Sequence, residues 1–204
     1  MDENWILSCL KKPLGAKAAH EPFLKNRMDQ TFGHSKQNAR QAAVAIHLYP
    51  ENGNWFFILI KRSIYQGFHS GQIAFPGGKY DRQDQNLAFT ARRETYEEIG
   101  IGINIGKQVR ALTKVWIPVS GFEVSPFVFI HKCKPKLAAN DQEVAQILII
   151  SISNLIDPKS ISTTNIVLEN GMKLENVACF EFNNEIVWGA TALIINELRM
   201  LFAA

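Results

Sequence analysis

The segment Arg93-Glu94-Thr95-Tyr96-Glu97-Glu98-Ile99-Gly100-Ile101 packs three carboxylates into five consecutive positions. Phe75-Pro76-Gly77-Gly78 precedes it, with 14 residues between Gly78 and Arg93. On a helix turning about 100° per residue, Ala88, Ala91, Thr95 and Ile99 form an apolar stripe about 80° wide. Glu94, Glu97 and Glu98 share a neighbouring arc of about 100°. The three acids are therefore expected at the edge of the buried face. Arg93 precedes Glu97 by one helical turn and can orient its carboxylate. In water such like charges repel weakly, but at an effective dielectric of 20 and about 5 Å the repulsion is roughly 3 kcal/mol. A partly buried cluster of this kind calls for a cation. Carboxylates with a backbone carbonyl form a hard oxygen site, suited to Mg²⁺ or Mn²⁺. Glycine at 77 and 78 leaves room for close backbone approach to a metal or phosphate.

The elements that must position these groups follow from periodicity and turn chemistry. A helix is expected over roughly Gln85 to Ile99, stopped by Gly100 and Gly102. Ala42 to Tyr49 and Trp55 to Arg62 read as strands joined at Pro50-Glu51-Asn52-Gly53, where Asn-Gly favours a hairpin. Ser63 to Lys79 reads as a long loop rich in glycine and aromatics, and loops of that length are usually functional. Further strands are expected near Gln108 to Trp116, Val124 to His131 and Val144 to Ile150. Two more should flank Asn170-Gly171. A short helix over Ser151 to Ile156 and a C-terminal helix from about Ala190 to Leu201 complete the pattern. Irregularly interleaved strands and helices, with hairpins, imply an α/β (α+β) fold whose mixed sheet is covered by helices. Residues 1–38 are expected to be an appendage of short helices and loops, and residues 39–204 the main domain.

Composition narrows the function classes. The chain has 204 residues, 47% hydrophobic and 20% charged, as in an ordinary globular protein. Lys and Arg number 22 against 19 Asp and Glu, and the net charge of +3 is scattered rather than blocked. Nucleic acid is therefore a poor partner. Apolar runs are too short for a membrane span. The three cysteines, Cys9, Cys133 and Cys179, are widely separated and offer neither a zinc pair nor a disulfide framework. With no signal-peptide pattern at the N-terminus, the expected location is cytoplasmic.

The arrangement resembles the Nudix box, a glycine followed at fixed distance by Arg-Glu-x-x-Glu-Glu-x-Gly. Arg93, Glu94, Glu97, Glu98 and Gly100 match it, and Ile101 fits the closing hydrophobic position. Gly78 lies one residue further from Arg93 than in the commonest box, and Asp84 stands where a glutamate is usual. Both features are similar to the coenzyme A pyrophosphatase branch, which carries Phe-Pro-Gly-Gly-x-x-Asp-x-x-Asp; here these are Phe75 to Gly78, Asp81 and Asp84. The branch's upstream signature is matched by Arg62, Ser63, Gly71, Gln72, Ile73 and Ala74. Ile60 replaces a threonine, and Gly67 replaces an arginine, removing a cation. Ser120-Gly121-Phe122, Pro126, Glu143-Val144 and Ile186 to Thr191 extend the likeness over about residues 40 to 202.

The resemblance implies a Nudix-like α/β/α sandwich and metal-dependent hydrolysis of a diphosphate. Glu94, Glu97 and Glu98 would hold one to three ions, with the Gly78 carbonyl a further ligand. Arg93 would orient the acids, and one of the glutamates, or Glu143 from a later loop, would deprotonate the attacking water. Arg62 could clamp a phosphate bidentately, and Gly71, Gln72, Gly77 and Lys79 would line the substrate. Phe68 and His69 could meet the nucleotide or pantetheine arm. The expected substrate is a small nucleoside diphosphate derivative, coenzyme A or acyl-coenzyme A first. The alternative, favoured by Gly67, is ADP-ribose, NADH or a dinucleoside polyphosphate. A silent binding module is disfavoured, since a binder has no need of all three glutamates. A homodimer is one option the sequence leaves open.

Overall fold

A computed structural model describes residues 1–24, 39–64, 69–168 and 171–203. Two N-terminal helices, α1 (Glu3–Lys11) and α2 (Ala16–Leu24), precede strand β1 (Arg40–Glu51). Strand β2 (Asn54–Arg62) returns antiparallel, with Leu48 opposite Phe57. The connection is the expected hairpin: Asn52 and Gly53 take φ values of 50° and 75°, the left-handed pair that suits the twist of two strands.

The stretch read as one long loop holds two short strands, β3 (Ile73–Ala74) and β4 (Gly77–Lys79). They form because a backbone run this close to the sheet must pair its N–H and C=O groups. Helix α3 (Leu87–Ile99) starts two residues later than expected. Asn86 is its cap, accepting from Phe89 N at 2.9 Å in extended conformation. Gly100, at φ 74°, ends the helix as expected, its N–H on Tyr96 O.

Strands β5 (Lys107–Ala111) and β6 (Val115–Ile117) replace the single strand expected near Gln108 to Trp116. Both pair with β7 (Phe122–Ile130), and β8 (Val144–Ser151) pairs with β2. The central path runs β3-β2-β1-β7-β5, with β4 on β1, β6 on β7 and β8 on β2. The β1–β7 pair is parallel and the others antiparallel, so the sheet is mixed, as expected.

Helix α4 (Ile152–Ile156) is followed by β9 (Ile161–Val167), β10 (Lys173–Phe182) and β11 (Glu185–Val187), then α5 (Gly189–Phe202). These last three strands form a separate antiparallel sheet in the order β11-β10-β9, which periodicity did not foretell.

Alternation along the central strands sorts the layers. Ile46, Leu48, Phe57, Leu59, Val128 and Leu148 point into a core shared with α1, α5 and β10. Ala43, Ala45 and Phe129 point the other way, against Ala91 of α3, while Ile58, Ile60 and Val144 meet Ile99. The result is helix, sheet, helix. The small side chains of Ala43, Ala45 and Ala91 let α3 sit close to β1, which sets the height of its acidic residues over the sheet. Ile6, Cys9, Leu10 and Phe23 of the N-terminal helices belong to the larger core. No helix among the described residues is long and apolar enough to cross a membrane.

Candidate active site

The acidic helix meets the glycine strand where β4 pairs with β1, Gly78 opposite Ala43. Gly77 has φ 151°, and a Cβ there would lie 2.3 Å from Ala43 O, so only glycine fits this turn. At Gly78 a Cβ would fall 2.3 Å from Glu94 Oε2. Backbone and carboxylate are thus in direct apposition, which only a missing side chain allows.

The three glutamates do not behave alike. Glu98 is 2% exposed, inside the buried face rather than at its edge. It accepts from Gly77 N at 2.8 Å and from Arg62 Nη1 at 3.3 Å. Burial pushes its pKa up to about 8, against the opposing pull of those two donors. Glu94 is partly buried, and burial likewise raises its pKa. Glu97 is 48% exposed and faces Arg93 at 3.0 Å. The expectation that all three lie at the edge of the buried face is corrected for Glu98, which lies within it. Glu98 stands next to the buried stripe and turns under, while Glu97, about 100° further round the helix, stays at the rim. No three acidic, histidine or cysteine side chains among the described residues are already drawn together at metal-ligating distance.

Arg93 organises the rim. Its guanidinium donates to Glu94 Oε1 at 2.8 Å, Glu97 Oε2 at 3.0 Å and Lys79 O at 3.2 Å. Its other edge grips Asp84 through Nε and Nη2, at 2.8 and 3.0 Å. Asp84 also accepts from Asp81 N at 3.0 Å and Thr90 Oγ1 at 2.8 Å. The Arg93 hydrogen bonds hold its pKa down to about 2, against its burial. The sequence marks Asp84 as the loop acid but gives no partner for it. A buried aspartate needs a cation, and the arginine nine positions on is the partner it finds.

Glu143 reaches the site by backbone anchoring. Its carbonyl accepts from Ser63 N at 2.9 Å, beside Arg62. Asn140 N donates to Glu98 O, and Asn140 O accepts from Glu143 N, each at 2.9 Å. Asn140 carried no signal in the sequence, because its part is played by its main chain. The Glu143 charge acts on both Glu94 and Glu98, raising their pKa values.

Gly71 and Gln72 flank the same corner. Gly71 has φ 65°, and Gln72 O accepts from Arg62 N at 3.1 Å. His69, at φ 71°, meets Gln72 Oε1 at 3.0 Å and Ser120 Oγ at 3.3 Å, and burial lowers its pKa. The Lys79 side chain is exposed. Gly67 and Phe68 lie outside the described residues.

The donor set fits a hard divalent cation. Glu94, Glu98 and Glu143 are all-oxygen ligands. Burial, with a smaller addition from the neighbouring carboxylate charges, including that of Glu143, raises the pKa values of Glu94 and Glu98, and a bound cation would relieve that cost. With no side chain at Gly78, the Glu94 carboxylate lies directly against the backbone at that point.

This geometry belongs with a family. Residues 39–165 match the NUDIX domain, and the chain belongs to that family. Over 164 residues it is 34% identical to the uncharacterized Nudix hydrolase NudL of Yersinia pestis (strain Pestoides F), covering 78% of each chain. The same values hold for NudL of Yersinia pseudotuberculosis serotype O:1b (strain IP 31758). Among solved structures, the Nudix hydrolase RenU from M. smegmatis aligns with a TM-score of 0.50 at 17% identity. That alignment covers 63% of this chain and 83% of that one, and it bears on the fold alone. The protein is a Nudix pyrophosphohydrolase, acting on a nucleoside diphosphate derivative. Enzymes of this family generally use divalent ions such as Mg²⁺ or Mn²⁺.

Proposed function

We propose that this enzyme hydrolyses the diphosphate of coenzyme A or acyl-coenzyme A, releasing 3′,5′-ADP and (acyl-)4′-phosphopantetheine, with Mg²⁺ or Mn²⁺. One observation carries the reading: Arg62, the first matched residue of the upstream signature, sits on Glu98 of the box at 3.3 Å. The two motifs thereby form one site. Glu94, Glu97 and Glu98, with the Gly78 carbonyl, are the metal ligands in this reading. A bound divalent ion supplies charge neutralisation for the diphosphate and an acidified water. Glu143 or one of the box glutamates takes that water's proton. Arg93 holds Glu94 and Glu97 in place, and Asp84 holds Arg93. Arg62, released from Glu98, would meet phosphate oxygens as a planar donor, with Lys79 adding charge and Gly71, Gln72 and Gly77 shaping the wall. Residues 39–204 form the catalytic domain in this scheme, residues 1–38 its appendage, and the cytoplasm its place of action.

Gly67 favours a second reading, in which the substrate is ADP-ribose, NADH or a dinucleoside polyphosphate. Phosphate release from coenzyme A, its 3′-dephospho form and these three, each with a coupled phosphatase, separates the two. Coenzyme A should be hydrolysed fastest, and only with added metal. Faster turnover of any of the three others assigns the site to the second reading, and full activity in chelator removes both.

A further inference from the structure

The three-stranded sheet has an open edge. Among the described residues, β9 has β10 as its only ladder partner, so one row of its N–H and C=O groups faces outward. Natural proteins blunt such an edge with a lysine, a proline or a bulge. The run Ile161-Ser162-Thr163-Thr164-Asn165-Ile166-Val167 contains no charge and no proline. The bulge in this sheet is on β10: Leu174 and Val177 oppose Ile166 and Thr164, leaving β9 itself regular. On β10, Lys173, Glu175 and Glu181 supply the charge expected of a solvated strand; β9 has none. Two of its four outward positions are apolar, with Ile161 37% and Val167 65% exposed.

The order of these residues singles out the partner. Outward positions 161, 163, 165 and 167 read apolar, polar, polar, apolar, and the pattern is the same in either direction about Thr164. A two-fold interface requires such self-complementarity. If two copies pair antiparallel about Thr164, each Ile161 lies directly opposite the partner's Val167, on one face. Thr163 then faces Asn165, and Thr164 faces its own counterpart. Cross-strand aliphatic pairs of this kind stabilise a sheet, and the join would turn two three-stranded sheets into one of six.

We infer that β9 is a homodimerisation strand, pairing antiparallel with the β9 of a second copy in a register centred on Thr164. Strand β9 belongs to the three-stranded sheet, whereas Arg62 is on β2 and Glu94 and Glu98 on α3, so the inference is independent of which diphosphate the enzyme cleaves.

Sedimentation velocity on the full chain, from micromolar concentration upward, should show a reversible species of twice the 23.0 kDa chain mass. Ile161→Lys combined with Val167→Lys sets lysine against lysine at both ends and should shift the mass to one chain, with the melting temperature retained. Ile161→Glu combined with Val167→Lys sets opposite charges together and should restore the dimer. In a Cys133→Ser background, Thr164→Cys should oxidise to a covalent dimer, while Ile161→Cys, opposite position 167, should not. A wild type that stays monomeric overturns the proposal. So does a double-lysine variant that stays dimeric, or equal crosslinking by both cysteine variants.

Discussion

At Glu98 two demands meet on one carboxylate: burial under α3 and the wish to stay ionised. Gly77 N and Arg62 offset part of the burial, yet the pKa still rises to about 8. A group kept this poorly solvated is poised to gain from a cation. Glu94→Gln and Glu98→Gln should each lower kcat by roughly a hundredfold or more, as expected for one lost electrostatic contact in the transition state. Each should also shrink the rise in melting temperature produced by Mn²⁺ in the wild type, since ligand stabilisation follows affinity. Near-normal rates in both variants would show that neither carboxylate takes part in the reaction.

Asp84 makes the opposite case, a carboxylate whose ionised form is favoured by its surroundings. Its folded pKa of about 2 lies below the ordinary 3.8, so the ion pair stabilises the fold above pH 3.8 and is lost as pH falls toward 2. The stabilisation is on the order of 2 kcal/mol. Asp84→Asn should flatten the acid limb of a urea-melt series across that window; an unchanged limb would mean Arg93 does not hold it.

At the scale of elements, Gly77 and Gly78 are adjacent but answer to different neighbours. At Gly77 a Cβ would strike the Ala43 carbonyl and the Val44 backbone, both part of β1. Gly77→Ala should therefore cost stability, about 2 kcal/mol or more, through lost β4–β1 pairing and strain at positive φ. At Gly78 the obstructing atoms are the end of the Glu94 side chain, which can swing aside. Gly78→Ala should leave the melting temperature within about 2 °C of wild type, a ΔΔG of a few tenths of a kcal/mol, while activity falls with Glu94 displaced. Thermal melts beside kcat separate the two outcomes.

Across the whole molecule, Glu197 of α5 joins segments remote in sequence. It is fully buried, and accepts from Ala16 N at 2.8 Å and from Thr113 N and Oγ1 at 2.7 Å each. These bonds tie the start of α2 and the β5–β6 connection to the last helix. Glu197→Ala leaves three part-buried donors without their acceptor and should cost about 2 kcal/mol in denaturant melts. Activity per folded molecule should hold, because no site residue touches this network. A loss below 1 kcal/mol would mean that water reaches these donors.

What the sequence alone settled is the part that depends on neighbours along the chain. The hairpin at Asn52-Gly53, the cap at Gly100, the amphipathic α3 and the short α4 follow from local conformational preference and period, and all are present. The box acids were legible because helical spacing puts 94, 97 and 98 on one side. Tertiary structure decided what spacing cannot reach. How deep each acid sits depends on how closely α3 packs on β1, where Ala43, Ala45 and Ala91 meet, and Glu98 is buried there while Glu97 is half exposed. The pairing of Asp84 with Arg93, the anchoring of Glu143 through the Asn140 main chain and the separate β9–β11 sheet arise from contacts between distant segments. Burial and pairing are properties of the assembled layers, and a periodic pattern carries no term for them.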